Sequence, residues 1–110
     1  MKLSVVTTVY RSEGHIEEFH RRITAAAEPV TDDFEVVYVN DGSPDGSVEV
    51  CRRLLAGDPR VAVVDLAHNV GQHEALLAGL AHASGDRVFL IDCDLEEPPE
   101  VLTHFWEAAR

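Results

Sequence analysis

Two aspartates separated by one residue, Asp92 and Asp94, are the residues of this sequence best suited to chemistry. They follow an apolar run directly in the segment VFLIDCDLEEPPE, where five carboxylates fall within nine positions. Residues two apart point to the same side of an extended chain, so both carboxylates can face one place. Two like charges held together are unfavourable unless a cation or ligand hydroxyls compensate them. The pair therefore predicts a hard divalent cation, Mg²⁺ or Mn²⁺, holding a diphosphate.

Aliphatic runs alternate with helical spacing along the whole chain, and these elements must position the aspartates. Four runs are predicted strands: Leu3–Thr8, Phe34–Asn40, Val61–Leu66 and Arg87–Ile91. Their nearly continuous apolar character is typical of parallel strands covered on both faces. Helical spacing lies between them, and Pro98-Pro99 predicts the opening of a last helix over residues 100–109. The order predicts a Rossmann-like α/β fold, an open and mainly parallel sheet with helices on both faces.

Polar residues follow each predicted strand, at the edge where an open parallel sheet binds its ligands. The four segments are Thr8–Glu13, Asn40–Ser43, Ala67–His73 and Asp92–Asp94. Each also has a structural interpretation when it is taken alone. NDGS at 40–43 is an ordinary turn sequence, and NVG at 69–71 is typical of a turn before a helix. Their convergence on one edge is what favours a binding site.

The histidines and cysteines are weaker candidates for chemistry. His68 and His73 are five apart with no further matching pair, which argues against a histidine metal site. Cys93 is expected to pack rather than to attack, because the neighbouring carboxylates raise the pKa of a thiol. The other histidines are expected on helix surfaces: His15, His20, His82 and His104.

Composition excludes several partners. A formal net charge of −11 argues against binding to nucleic acid or to an anionic membrane surface. No apolar run approaches the roughly 20 residues of a membrane helix. Two cysteines without CxxC spacing indicate a reducing, cytoplasmic setting, with membrane association expected only of a longer protein.

Four motifs in series resemble the family 2 glycosyltransferases of the GT-A fold, in particular the polyprenyl-phosphate (dolichol-phosphate mannosyltransferase-like) branch. They are SVVTTVYRSEGHIEEF, VVYVNDGSPDGS, NVGQHEALLAGLAHASGD and VFLIDCDLEEPPE. The resemblance implies the nucleotide-binding half of a GT-A fold, which binds a nucleotide-diphosphate sugar with Mg²⁺ or Mn²⁺. UDP is expected ahead of GDP, and the glycosyl group would pass with inversion to a polyprenyl phosphate or a saccharide.

The resemblance also implies roles for individual residues. Asp41 would contact the base, Asp92 would lie near the ribose and the metal, and Asp94 would bind the metal. The rest of the donor pocket would comprise Thr8, Val9, Tyr10, Glu13, Gly42, His68, Gly71, Gln72 and Cys93. Three positions depart from the family: His68 and Gln72 stand where Arg and Lys are frequent, and Glu96 stands where Gln is usual. The first two remove positive charge from the donor pocket.

The family continues past its DxD segment into an acceptor half that supplies the carboxylate base. We therefore expect residues 1–110 to form a single nucleotide-sugar-binding domain, truncated before that half, with the base beyond it. Such a chain alone would transfer sugar weakly or not at all, and its uncovered surface could drive self-association. Two alternatives stay open. A non-catalytic nucleotide-binding or regulatory α/β module fits the same pocket, and a haloacid-dehalogenase-type enzyme has DxD after a strand but near its N-terminus.

Overall fold

Four parallel strands form one sheet in the computed structural model, which describes residues 1–108. The strands are β1 (Leu3–Val9), β2 (Phe34–Asp41), β3 (Val61–Leu66) and β4 (Arg87–Leu90). Their order across the sheet is β3-β2-β1-β4. β2 and β3 therefore follow one another on one side of β1, and β4 pairs with β1 on the opposite side. Val5 marks the register, pairing with Val36 on one side and Phe89 on the other. The switch of direction between β1 and β4 opens a crevice at the carboxyl ends of the strands.

Helices cover both faces of this sheet, as the sequence predicted. They are α1 (Ile16–Ala27), α2 (Ser47–Gly57), α3 (Gln72–His82) and α4 (Leu102–Ala108). On one face α3 packs Ala75 against Val6 and Val37, while α1, α2 and α4 cover the other face. The fold is therefore the predicted Rossmann-like α/β architecture. None of the helices in residues 1–108 has both the length and the apolarity to cross a membrane.

The element boundaries differ from the predicted ones at a few residues. β1 and β2 each extend one residue further than predicted, to Val9 and Asp41, while β4 ends one residue earlier, at Leu90. The last helix opens with a 3₁₀ turn over Pro99–Val101 before α4, because a proline at the first position fits a tight turn that needs no N–H there. The predicted helix end at residue 109 lies outside the described residues.

A close contact between two loops shapes the crevice. Gly42, directly after β2, has φ +61°, in the left-handed region that favours glycine. A Cβ built on Gly42 would overlap the backbone nitrogen of Asn69 and the backbone of His68. The backbone of the loop between β3 and α3 therefore lies directly against the backbone at the end of β2. No larger residue fits there without moving that loop.

A buried histidine joins α1 to β2 and to the turn before β3. His20 is 8% exposed, and its Nδ1 lies 2.6 Å from the Tyr38 hydroxyl oxygen. Its Nε2 lies 3.1 Å from Oδ2 of Asp58, which Arg60 also contacts. The predicted surface position of His20 is wrong, because its two polar partners come from distant parts of the chain. Neutral His20 satisfies both when Nε2–H donates to Asp58 and Nδ1 accepts from Tyr38.

This network gives the protein a pH-dependent stability. Burial lowers the pKa of His20, and hydrogen bonds led by that from Arg60 hold the pKa of Asp58 at about 2. A histidine whose pKa is lower in the folded state binds fewer protons than the unfolded chain does. Its contribution to stability is therefore complete above the unfolded pKa of about 6.5 and is lost as pH falls below it.

We expect His20→Gln to flatten the dependence of the unfolding free energy on pH between about pH 7 and pH 5. The glutamine amide can donate to Asp58 and accept from Tyr38 but does not titrate. Chemical denaturation across this range measures the slope, with exposed His82→Gln as the matched control. Equal slopes in the wild type and His20→Gln would contradict this assignment.

We expect Gly42→Ala to lower the free energy of unfolding by about 2 kcal/mol or more, because it combines left-handed strain with a backbone overlap. Gly57→Ala is the matched control, since nothing lies within 4 Å of its added Cβ. That control should change stability by about 1 kcal/mol or less. Urea denaturation of both variants measures the difference, and similar stabilities would show that the loop yields easily.

Candidate functional site

A cavity of about 310 Å³ opens at the carboxyl ends of β1, β2 and β4, beside the first turn of α3. This is the crevice where ligands of open parallel sheets bind. Its wall combines hydroxyl, amide and carboxylate groups with one aromatic ring. The lining residues are Thr8, Tyr10, Ser12, Asp41, Asn69, Gly71, Gln72, Asp92, Cys93 and Asp94.

The loop after β1 brings an exposed aromatic ring to the cavity. Tyr10 is 42% exposed, and the guanidinium of Arg11 lies 5.4 Å from the centre of its ring. Two serines of the β2–α2 segment hold this loop. Ser43 Oγ accepts a hydrogen bond from the Arg11 N–H at 2.8 Å, and Ser47 Oγ accepts one from the Ser12 N–H at 3.0 Å. An exposed aromatic ring at a cavity wall is a surface on which a flat ligand ring can stack.

Asp41 lines the cavity and also fixes the loop between β3 and α3. Its carboxylate belongs to a residue that is only 3% exposed. Oδ1 accepts a hydrogen bond from the Val70 N–H at 2.8 Å, and Oδ2 accepts one from the Asn69 side chain at 3.2 Å. The same Asn69 amide donates to the Asp41 carbonyl oxygen at 3.1 Å. A buried carboxylate with several donors is firmly placed, so this loop has a defined position.

The two aspartates after β4 each hold one hydrogen bond from an uncharged donor. Gln72, the first residue of α3, donates from Nε2 to Oδ1 of Asp92 at 2.9 Å. The Glu96 N–H donates to Oδ1 of Asp94 at 3.0 Å. Between Asp94 and Glu96, Leu95 has φ +69°, which turns the backbone so that the Glu96 N–H faces the Asp94 side chain. Both carboxylates line the same cavity although β4 has already ended at Leu90.

Cys93 packs beneath these aspartates. It is 2% exposed, and its Sγ lies 3.5 Å from the carbonyl oxygen of Thr8. Burial raises the pKa of the Cys93 thiol, which keeps it protonated and disfavours attack by the sulfur. Cys51 is also buried with a free thiol. Cys93 therefore ties the segment of the two aspartates to the end of β1, as its predicted packing role requires.

Charge in the cavity has one sign. Three lining residues are aspartates, and in the described part of the chain none of the lining residues is Lys, Arg or His. Within residues 1–108, neither Asp92 nor Asp94 forms a salt bridge, and each keeps one carboxylate oxygen without a protein hydrogen bond. The same residues hold no cluster of three or more His, Cys, Asp or Glu that could hold a metal ion, so the protein donors here are the two aspartates. This donor set fits a hard cation that takes its remaining ligands from a bound diphosphate and water.

Most of the residues predicted for the site lie together. The structure brings eight of them into the cavity wall: Thr8, Tyr10, Asp41, Gly71, Gln72, Asp92, Cys93 and Asp94. Four others do not line it. Val9 is fully buried in the core, and Gly42 lies under the loop that carries His68. Glu13 points to the start of α2, where its Oε1 accepts a hydrogen bond from the Gly46 N–H at 3.3 Å.

Two lining residues, Ser12 and Asn69, were not among the predicted site residues. Ser12 is 7% exposed and serves the loop as much as the cavity, because its Oγ donates to the Tyr10 carbonyl oxygen at 3.0 Å. Asn69 stands in the NVG turn that the sequence left open between a structural and a binding role. Asn69 comes just before Gly71 and the start of α3, and a short amide side chain at such a place commonly hydrogen-bonds nearby backbone. This was the sequence signal for its role in fixing the loop.

Comparison with known proteins gives this cavity a family context. The family model described as Glycosyl transferase family 2 matches residues 4–110. A Mycobacterium tuberculosis protein assigned to the glycosyltransferases is 52% identical over 107 residues, which are 97% of this chain and 31% of that protein. The bactoprenol glucosyl transferase of Shigella phage SfV is 39% identical over 111 residues, covering 98% of this chain and 36% of the relative. The chain thus spans about a third of the length of these curated relatives.

Solved structures show the same fold. The mannosyltransferase PcManGT from Pyrobaculum calidifontis, in complex with GDP-Man and Mn²⁺, matches with a TM-score of 0.76 and 31% identity, over 84% of this chain and 27% of that one. S. aureus TarS 1–349 in complex with UDP-GlcNAc matches with a TM-score of 0.71 and 29% identity, over 86% and 27% of the two chains. With the family model matching nearly all of its length, this chain belongs to glycosyl transferase family 2.

Proposed function

We propose that this chain is the donor-binding part of a glycosyltransferase and holds a nucleotide-diphosphate sugar with a divalent cation in the cavity beside β4. The observation that carries the proposal is the pair Asp92 and Asp94, both lining a cavity whose wall, within residues 1–108, has no basic residue. Carboxylates repel an anionic ligand, and a divalent cation that binds with the ligand compensates this repulsion. The cation and the diphosphate therefore belong to one binding event.

Asp94 and Asp92 are the proposed ligands of Mg²⁺ or Mn²⁺. Each carboxylate has an oxygen that no described protein group occupies, and hard cations of this size bind through one or two carboxylates plus phosphate oxygens. Mn²⁺ is present with the donor in the structurally similar PcManGT complex. A divalent cation there would stabilise the negative charge that develops as the nucleoside diphosphate leaves.

The nucleoside is proposed to lie between the ends of β1 and β2. Tyr10 offers an exposed ring for stacking, and Asp41 offers carboxylate lone pairs beyond the hydrogen bonds that it already accepts. UDP is proposed ahead of GDP, since the comparable TarS structure holds UDP-GlcNAc, although PcManGT holds GDP-Man. Glycosyl transfer is proposed to proceed with inversion at the sugar.

The acceptor is proposed to be a polyprenyl phosphate, with a saccharide as the second candidate. Relatives include the bactoprenol glucosyl transferase and an undecaprenyl-phosphate 4-deoxy-4-formamido-L-arabinose transferase of Aeromonas hydrophila, of which the chain covers 33%. We place the donor reaction in the cytoplasm, where sugar nucleotides would be available. The alternative function is that of a non-catalytic nucleotide-binding module. It would bind the same ligands in the same cavity but would not transfer the sugar.

Titration of the 110-residue chain with UDP and with GDP, with and without Mn²⁺, tests the donor site. We expect UDP to bind in a Mn²⁺-dependent manner and Asp94→Ala to weaken that binding at least about 10-fold, because a metal ligand is lost. Glu97→Gln is the matched control, an exposed acidic residue three positions away that does not line the cavity. Its binding should equal that of the wild type.

The outcomes separate the alternatives. Binding that needs neither Mn²⁺ nor Asp94 would contradict the proposed metal-held diphosphate. Failure of the wild type to bind either nucleotide would contradict the donor site as a whole. Metal-dependent binding is expected of the enzyme and of the binding module alike, and only sugar transfer would favour the enzyme over the module.

A further inference from the structure

Gln72 reaches across the cavity to the carboxylate of Asp92. Its amide is the one side chain in residues 1–108 that hydrogen-bonds Asp92, with Nε2 2.9 Å from Oδ1, and the two residues are 20 positions apart. We propose that Gln72 is a positioning residue, which orients the Asp92 carboxylate for the divalent cation while leaving its negative charge intact. This inference rests on the proposed function and assigns a task to a residue outside the metal ligands.

The backbone that carries Gln72 is well fixed. Immediately before it, Gly71 has φ +97° and its carbonyl oxygen accepts the Ala75 N–H at 3.0 Å, which begins α3. One residue earlier, the Val70 N–H donates to the buried Asp41 carboxylate at 2.8 Å. The Gln72 amide therefore projects from a helix start that is anchored to the end of β2. A donor on such a base can impose a position on its acceptor.

The Asp92 side chain, by contrast, has little else to hold it. Its backbone lies between two buried neighbours, Ile91 at 5% and Cys93 at 2% exposure. The Ile91 N–H donates to the carbonyl oxygen of Val6 at 3.2 Å, which fixes the main chain. The carboxylate itself belongs to an exposed residue and would sample several rotamers without a partner. Gln72 therefore selects one of them.

A neutral donor differs from a basic one at this place. Lys or Arg would also orient Asp92, but its charge would cancel that of the carboxylate and compete with the cation. The amide occupies Oδ1 and leaves Oδ2 free of described protein hydrogen bonds. Gln72 thus supplies geometry without neutralisation. Among residues 1–108 the cavity is lined by three aspartates and by no basic residue, so affinity for the cation depends on keeping the charge of Asp92.

Mn²⁺ titrations of the 110-residue chain by electron paramagnetic resonance, at saturating UDP, test the proposal. We expect Gln72→Leu to weaken Mn²⁺ binding about 10- to 100-fold, the range found when a partner of a metal ligand is removed. Gln72→Lys should weaken Mn²⁺ binding too, yet strengthen the binding of UDP without metal, because its charge attracts the diphosphate. His73→Ala, exposed on the next position of α3 and outside the cavity wall, should match the wild type.

A double-mutant cycle separates positioning from direct ligand contact. If Gln72 acts through Asp92, then Gln72→Leu added to Asp92→Ala weakens Mn²⁺ binding no further, within about twofold. A second full loss in that background would overturn the proposal, as would unchanged Mn²⁺ affinity in Gln72→Leu alone. In that last case the donor site itself still stands if wild-type UDP binding needs Mn²⁺. Absence of Mn²⁺-dependent binding in the wild type would overturn both.

Discussion

Repulsion among carboxylates is the constraint around which this site is built. Asp41, Asp92 and Asp94 line one cavity of about 310 Å³, and no basic side chain of the described residues lines it with them. Neutral donors hydrogen-bond these carboxylates: the Asn69 and Gln72 amides and the backbone N–H groups of Val70 and Glu96. Neutral donors orient the carboxylates without neutralising them. The cavity therefore stays negatively charged and favours binding of a cation.

The sheet order makes this concentration of charge possible. With β1 central and β4 on its other side, the ends of β2 and β4 flank the end of β1. The loop between β3 and α3 then closes the cavity from the β2 side, because Gly42 lets its backbone pass at close range. Two buried contacts, Asp41 to that loop and Cys93 to the end of β1, hold the opposite walls. The cavity therefore depends on backbone approach as much as on the lining side chains.

The sequence predicted what depends on local pattern. Continuous apolar runs identified the four strands, and the strand-end rule placed Asp92 and Asp94 where the structure has them. Contacts between residues that are far apart along the chain could not be predicted from the sequence. His20 was predicted on a helix surface because its partners, Tyr38 and Asp58, lie 18 and 38 positions away.

Which residues line the cavity was also only partly predictable, because it depends on the direction of each side chain and on the packing of distant segments. Val9 stands at a strand end, but alternation turns its side chain into the core, where it is fully buried. In the sequence, Gln72 stands out only because it lacks the positive charge that is frequent at its position. Its amide contact with Asp92 depends on the first turn of α3 lying beside the segment after β4, which are far apart along the chain.

The central claim is that the two aspartates after β4 hold a cation together with a nucleoside diphosphate. A crystal structure of the chain soaked with UDP and Mn²⁺, with the manganese located by its anomalous scattering, tests this most directly. We expect an anomalous peak about 2.0–2.3 Å from an Asp94 carboxylate oxygen and from the diphosphate oxygens. A peak on Glu96 and Glu97 with Asp94 unliganded, or UDP bound away from this cavity, would contradict it.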